Sequence, residues 1–308
     1  MTRLRFAAIQ TGPADEDRSA NLTRAVGLIR GLDPRPDVVV LPEIFSLPFW
    51  CVGLHDPAFF DWAEDVDGPT VSAMAEIARE VGTHVVVPFF ERGSREGEYY
   101  NSAVLLGPDG ALIPGRLPDG STVAAYRKNA ISSYAWDGHV NDEKWYFRPG
   151  DGFPVFETDF GTVGILICYD RWYPEAWRVL ALQGAVAVFV TNASEGYVSD
   201  MFVPSMRTCA AQNVLFVVAV NRAGTERIRD VETRYYGRSC VVGPGGELLA
   251  EAPEGEADVT VAADIDPDDV AAARRRLWVY RDRRPELYGL VSSPTAALPL
   301  GSGSSVDA

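Results

Sequence analysis

The stretch GTVGILICYDRWYPEAWRVLALQGAVAVFV, residues 161–190, decides the fold class. Gly161 to Cys168 is a short apolar run rich in β-branched residues and reads as a strand. Pro174 to Gln183 reads as a helix, with proline near its first turn, where a missing N–H breaks no bond. Val186 to Val190 reads as a second, buried strand. The alternation continues in both directions. Downstream, Pro204 to Gln212 reads as a helix and Leu215 to Val220 as a strand. Ser239 to Val242, the turn Gly243-Pro244-Gly245-Gly246 and Glu247 to Glu251 form a hairpin. Val259 to Asp264 is a strand and Asp268 to Arg276 a charged helix. Upstream, strands are expected at Leu4 to Gln10, Val38 to Leu41, His84 to Phe90 and Tyr100 to Leu106. Helices are expected at Asn21 to Ile29 and Thr70 to Val81, where apolar residues recur at helical spacing. Strands alternating with helices indicate the α/β class, and the hairpins make the sheets mixed. No Pro/Ser-rich linker divides the chain, so residues 1–300 are expected to form one domain. Pro114 to Ser121 is expected as a surface loop, and the small, polar tail 301–308 as disordered.

With 308 residues, 47% of them hydrophobic, the chain can build a large core. It has 28 basic and 43 acidic residues, a net charge of −15. That charge opposes binding to nucleic-acid phosphates and to anionic membranes. The cysteines Cys51, Cys168, Cys209 and Cys240 form no CxxC pair, and only His55, His84 and His139 could join them. Neither a metal site nor a disulfide scaffold is expected, and no cofactor is expected. No run of about 20 apolar residues lacks a charge or turn former. Met1 to Gln10 has no long apolar signal segment, so the expected location is the cytoplasm.

Three polar residues stand where apolar runs end. Glu43 follows Val38 to Pro42, Lys128 follows Val123 to Arg127, and Cys168 ends the Val163 to Ile167 run. Sites in α/β sheets gather beyond the carboxyl ends of strands. A thiol becomes a good nucleophile once deprotonated, and a nearby ammonium lowers its pKa. A carboxylate can take the proton and later activate water, and a fixed lysine can stabilise an oxyanion. Each residue also has an ordinary reading. The cysteine can be a small buried hydrophobe, the glutamate a helix cap, and the lysine surface charge.

The motifs around these residues resemble the nitrilase, or carbon–nitrogen hydrolase, superfamily over nearly the whole chain. Leu41-Pro42-Glu43 is similar to its glutamate box and Tyr126-Arg127-Lys128 to its lysine box. Ile167-Cys168-Tyr169-Asp170-Arg171-Trp172-Tyr173-Pro174-Glu175 is similar to its cysteine box, and the three occur in the family's order. Glu143 to Asp151, Thr191 to Ser194, Arg207 to Asn213, Val220 to Glu226 and Gly237 to Ser239 resemble further family segments. The resemblance implies a four-layer αββα sandwich with two mixed β-sheets. It implies Cys168 as nucleophile, Glu43 as general base, and Lys128 as oxyanion stabiliser aided by the N–H of Tyr169. Glu143 becomes a second glutamate that orients Lys128 or the substrate. It also implies a homodimer or higher even-numbered assembly, with residues of about 264–300 as a C-terminal dimer-contact segment. One position departs from the pattern. Ala130 stands where many carbamoyl-hydrolysing relatives have a histidine, two places after the lysine.

Arg276 to Gly289 resembles the end of the N-carbamoylputrescine amidase and β-ureidopropionase branch. The implied reaction cleaves an N-carbamoyl amine or amino acid to amine, ammonia and CO2 through a Cys168 thioester. An aliphatic amidase or nitrilase using the same residues is the alternative. Arg171 is a candidate for binding a substrate carboxylate bidentately, or else holds its loop by pairing with Asp170 or Glu175. Glu195, Asp200 or Asp137 could instead serve a cationic substrate. Trp136, Trp145, Trp172 and Tyr197 are candidate pocket walls, and Tyr169 and Asn192 further candidate substrate contacts. A non-catalytic member of the fold would have lost one of the three catalytic types, and all three are present.

Overall fold

Strand β1 (Leu4–Gln10) runs parallel to β2 (Val38–Val40), and β2 parallel to β3 (His84–Arg92). The antiparallel strand β4 (Tyr99–Leu106) follows on one side, and Val259–Ile265 lies antiparallel to β1 on the other. A second sheet is built around Gly161–Ile167, Ala187–Thr191 and Phe216–Val220, all parallel. Antiparallel strands Val155–Thr158 and Cys240–Val242 flank them. The computed structural model describes residues 3–136 and 139–294, without the side chains of Trp136, His139 and Tyr197. The expected tail and Asp137 lie outside the described residues.

The strand pattern dictates the layering. Successive strand residues point to opposite faces. Phe6, Ala8, Val38, Val40, Val86, Ala103 and Leu105 pack in one core with Ile165, Val188 and Phe189 of the second sheet. Their neighbours Ile9, Val39, Val85, Val87, Val104 and Leu106 face away, against Leu22, Ala25 and Ile29 of helix α1 (Arg18–Arg30) and Val71, Met74 and Ile77 of α2 (Pro69–Val81). On the outer face of the second sheet, Trp177 and Leu180 of α3 (Pro174–Leu182) and Phe202 and Met206 of α4 (Ser199–Asn213) are buried. Strands covered on both faces are apolar throughout, and each fully buried Val, Leu, Ile or Phe contributes about 1.5–3 kcal/mol. The result is the expected αββα sandwich.

Two expectations needed correction. Helix α4 starts at Ser199, and Pro204 sits inside it. The proline lacks one N–H and so removes one hydrogen bond to the preceding turn, which the helix bears near its start. The segment 114–121 is not a simple loop. Gly115–Arg116 pairs with Thr122–Val123 and with Val155–Thr158, extending the second sheet. Two-residue strands carry too short a pattern to read from sequence. Among the described residues, no helix is long and apolar enough to cross a membrane.

Candidate active site

The strand Gly161–Ile167 ends in an abrupt turn. Cys168 adopts φ +47°, a left-handed conformation that L residues other than Gly, Asn and Asp rarely hold. The chain then makes one tight turn, Cys168–Trp172, and enters α3. Asp170 staples this elbow. Its buried carboxylate accepts hydrogen bonds from the N–H of Ile167 (3.1 Å) and the hydroxyl of Tyr126 (2.6 Å). It also accepts from the N–H groups of Asn129 (3.2 Å) and Ala130 (2.8 Å), which flank Lys128 on its C-terminal side. One side chain therefore joins the cysteine elbow to the lysine segment. Burial pushes the Asp170 carboxyl up to about 6, against the pull of these donors.

Glu43, Lys128 and Glu143 meet in the interior, with side chains 0%, 0% and 1% exposed. Lys128 is brought there by Tyr126–Arg127, which pairs with β4, and by its own N–H bond to the Asn101 carbonyl (2.8 Å). Its Nζ donates to Glu43 Oε1 (2.9 Å) and to Glu143 Oε1 and Oε2 (2.9 and 2.6 Å). Burial opposes the ammonium charge, but Glu143 and Glu43 outweigh it and hold the Lys128 pKa well above the ordinary value. Burial also raises the Glu143 carboxyl to about 6, with Lys128 and Ser132 pulling the other way. Glu43 is fixed further by Asn101 Nδ2 on Oε1 (2.7 Å) and by the N–H of Ala193 on Oε2 (2.8 Å).

Cys168 is next to this cluster electrostatically. Burial and then the Glu43 charge push its thiol up to about 11, while Lys128 and Arg171 pull it down. The expectation that an ammonium lowers this pKa holds for the sign of the lysine's effect but not for the balance. With its pKa at about 11 the resting residue is a thiol at neutral pH, so any nucleophilic role would need a base to take its proton. Ser194 Oγ lies 3.5 Å from Cys168 Sγ.

Arg171 is buried beneath the elbow. Its Nη1 donates to the Cys168 carbonyl (3.0 Å) and lies 3.4 Å from Asn192 Oδ1 and 3.8 Å from Cys168 Sγ. It makes no ion pair with Asp170 or Glu175 among the described residues, so it holds its loop through backbone instead. The Asn192 amide donates to the carbonyls of Val190 (3.1 Å) and Val220 (2.9 Å), which commits both its N–H groups to the main chain. Trp172 is largely exposed, and Trp145 stacks with His55 and Phe60 just after Glu143. Tyr169 packs edge-on against Tyr173. Glu195 follows Ser194 in partial burial, and Asp200 is exposed at the start of α4.

The model for carbon–nitrogen hydrolases matches residues 5–275. The chain belongs to the carbon–nitrogen hydrolase family. This hydrolase is 35% identical to an N-carbamoylputrescine amidase of Solanum lycopersicum over 96% of each chain. It is 32% identical to a citrullinase of Francisella tularensis subsp. tularensis, covering 94% of this chain and 98% of the other. A carbon–nitrogen hydrolase structure from Helicobacter pylori G27 superposes with a TM-score of 0.84 at 27% identity, covering 95% and 99% of the two chains. The hydrolase is an amidohydrolase acting on carbon–nitrogen bonds.

Reasoning from the sequence missed several residues that shape this hydrolase's site. Asn101, which donates to Glu43, is a polar residue in a largely apolar strand, which was the available signal. Ser132 donates to Glu143 (2.9 Å). Ser194 and Arg222 lay within segments matched to the family, but nothing in their spacing gave them roles, and Asp170 was considered only as a partner for Arg171.

Proposed function

We propose that this hydrolase removes the carbamoyl group of an N-carbamoyl amine, with Cys168 as nucleophile. The observation that carries the proposal is the buried Glu43–Lys128–Glu143 cluster beside the strained Cys168 elbow. As Cys168 Sγ attacks the ureido carbon, its proton passes to Glu43. An oxyanion forms on the former carbonyl oxygen. Lys128 has three N–H groups facing three carboxylate oxygens, two of them on Glu143. Glu143 can keep one N–H and release another to the oxyanion, and the Tyr169 N–H is the second donor. The C–N bond to the terminal NH2 breaks, Glu43 returns the proton, and ammonia leaves. Water then attacks the thioester while Glu43 takes its proton. The C–S bond breaks, the thiol is reprotonated, and the carbamic acid decays to CO2 and the amine.

The relatives named as an N-carbamoylputrescine amidase and a citrullinase support the carbamoyl class. The engagement of Arg171 by the Cys168 carbonyl favours an amine over a carboxylate-bearing substrate. An aliphatic amide or nitrile would use the same residues, and the products separate these readings. The test is a panel of N-carbamoyl amines, N-carbamoyl amino acids, amides and nitriles, scored for ammonia and CO2. Wild type should release both from N-carbamoyl amines. Lys128→Met should lower turnover about 100-fold or more, the scale of losing one oxyanion donor. Arg171→Ala should weaken both carbamoyl classes together. A selective loss on the amino acids would return Arg171 to carboxylate binding, and no CO2 from any ureido compound would sink the carbamoyl reading.

A further inference from the structure

Glu43 stands at the start of an unusual turn. The next residue, Ile44, is β-branched and yet adopts φ +46°, a strained conformation that needs surrounding structure to hold it. Arg222 supplies that hold from about 180 residues away in sequence. Its Nε and Nη2 donate to the Glu43 carbonyl (3.2 and 2.8 Å), and Nη2 also donates to the carbonyls of Ile44 and of Leu47 (2.8 Å). The guanidinium is 1% exposed and is neutralised by Glu226, itself 2% exposed, at 2.7 Å. Glu226 ties the end of the same loop to the chain at Ala14. Its Oε2 accepts from the Ala14 N–H (2.9 Å) and its Oε1 from the Phe49 N–H (2.6 Å). The preceding residue, Asn221, clamps Ser194 by both its N–H (2.8 Å) and its carbonyl (3.0 Å). Ser194 follows Ala193, whose N–H fixes the Glu43 carboxylate.

We infer that Arg222 and Glu226 are a positioning pair, holding the strained 43–47 turn so that the Glu43 carboxylate stays aligned between Lys128 and Cys168. The inference rests on Glu43 being the base. A planar fork with several donors is what three converging carbonyls require, and lysine offers one point charge instead. The pair acts on the reaction only through Glu43, so its effect must vanish when Glu43 has no base to offer.

The test compares Arg222→Lys, Glu43→Gln and the double variant, with two readouts. The first is steady-state kinetics. Arg222→Lys should lower kcat about 10- to 100-fold, as expected for an ångström-scale misplacement, with KM changing less than about threefold. In the Glu43→Gln background it should lower kcat by less than about threefold, since residues acting through one group are not additive. The second readout needs no substrate. It is the pH dependence of Cys168 alkylation by iodoacetamide, followed by peptide mass. Glu43 raises the Cys168 pKa, so Glu43→Gln should move the alkylation midpoint down. Arg222→Lys should move it the same way, with no further shift in the double variant. Equal losses of kcat in both backgrounds, or a wild-type alkylation midpoint in Arg222→Lys, would overturn the inference and leave the pair purely structural. A wild-type profile and turnover in Glu43→Gln would overturn the base assignment and the inference with it. If Arg222→Lys does not fold, Glu226→Gln is put through the same comparison with the same expected and opposing results.

Discussion

Two buried carboxyl groups bracket Lys128 and Cys168 and share a similar titration range. Glu143 holds the Lys128 ammonium, and Asp170 holds the Cys168 elbow to the lysine segment. Burial raises both to about 6, from 4.5 for Glu143 and 3.8 for Asp170. Each must be ionised to accept its full set of hydrogen bonds. Activity should therefore fall as pH drops through about 6, and the acid limb of kcat/KM should be steeper than one ionisation produces. Stability runs the other way for these two groups. Their folded pKa values lie above the unfolded ones, so the native state binds more protons between about 4 and 6. Their contribution to stability is greatest at the acid end of that window and declines as pH rises through the folded pKa. A pH–rate profile alongside denaturant unfolding across pH 4–7 checks both signs. An acid limb centred near 4.5 would show that neither carboxyl is raised in the working enzyme.

At the scale of elements, the cysteine strand and α3 approach unusually closely. A Cβ at Gly164 would sit 2.7 Å from Leu180 Cδ1 and 2.9 Å from Cδ2. Leu180 is fully buried, so it has no open space to enter. Gly164→Ala should destabilise the fold by about 1–3 kcal/mol, the usual cost of overpacking. It should also lower kcat, because α3 is joined to the Cys168 elbow by a single turn. Urea unfolding and kinetics of the variant measure both, and unchanged stability would mean that the helix has slack. The sequence displayed these elements well. Val163 to Ile167, Val186 to Val190 and Leu215 to Val220 are short continuous apolar runs, the pattern of strands covered on both faces. It also displayed Glu43 and Cys168, which follow apolar runs, whereas Lys128 follows only the two-residue strand Tyr126–Arg127 and stood out through its motif. It was silent where a role depends on contacts between distant segments. Arg222 meets Glu43 across 179 positions and Ala193 meets it across 150, and no local spacing encodes either meeting. The net shift of the Cys168 pKa was hidden for the same reason: the ammonium lowers it as expected, but burial outweighs that pull in the assembled core.

For the whole molecule, one stretch of uncovered apolar surface stands out among the described residues. The C-terminal segment after helix α5 (Asp268–Arg276) exposes Leu277, Trp278, Leu287, Tyr288, Leu290 and Val291, and Leu182 of α3 is exposed nearby. The segment borders a groove also lined by Glu175, Arg178 and Leu182 of α3. The charge is equally uneven. The chain carries −15 overall, yet residues 274–284 contain six arginines and only Asp282 as an acid. Arg281 pairs with Asp282 and Arg284 with Glu286, leaving a basic excess. A basic, apolar strip on an acidic protein is complementary to the rest of that protein's own surface. We propose a second copy of this chain as its occupant, related by a twofold axis so that each strip lies on the other copy. Stable interfaces of this kind bury on the order of 1,200–2,000 Å² or more, and their apolar part does not depend on salt. Sedimentation equilibrium should therefore give twice the 33.6 kDa chain mass, or a multiple of that, at both low and high ionic strength. Replacing Trp278 and Leu290 by glutamate should yield monomers, because it puts charge where apolar contact is needed and cancels part of the basic excess. Wild type sedimenting as a monomer at micromolar concentration would reject the assembly. Dissociation at high salt alone would mean that the arginines, rather than the apolar side chains, carry the contact.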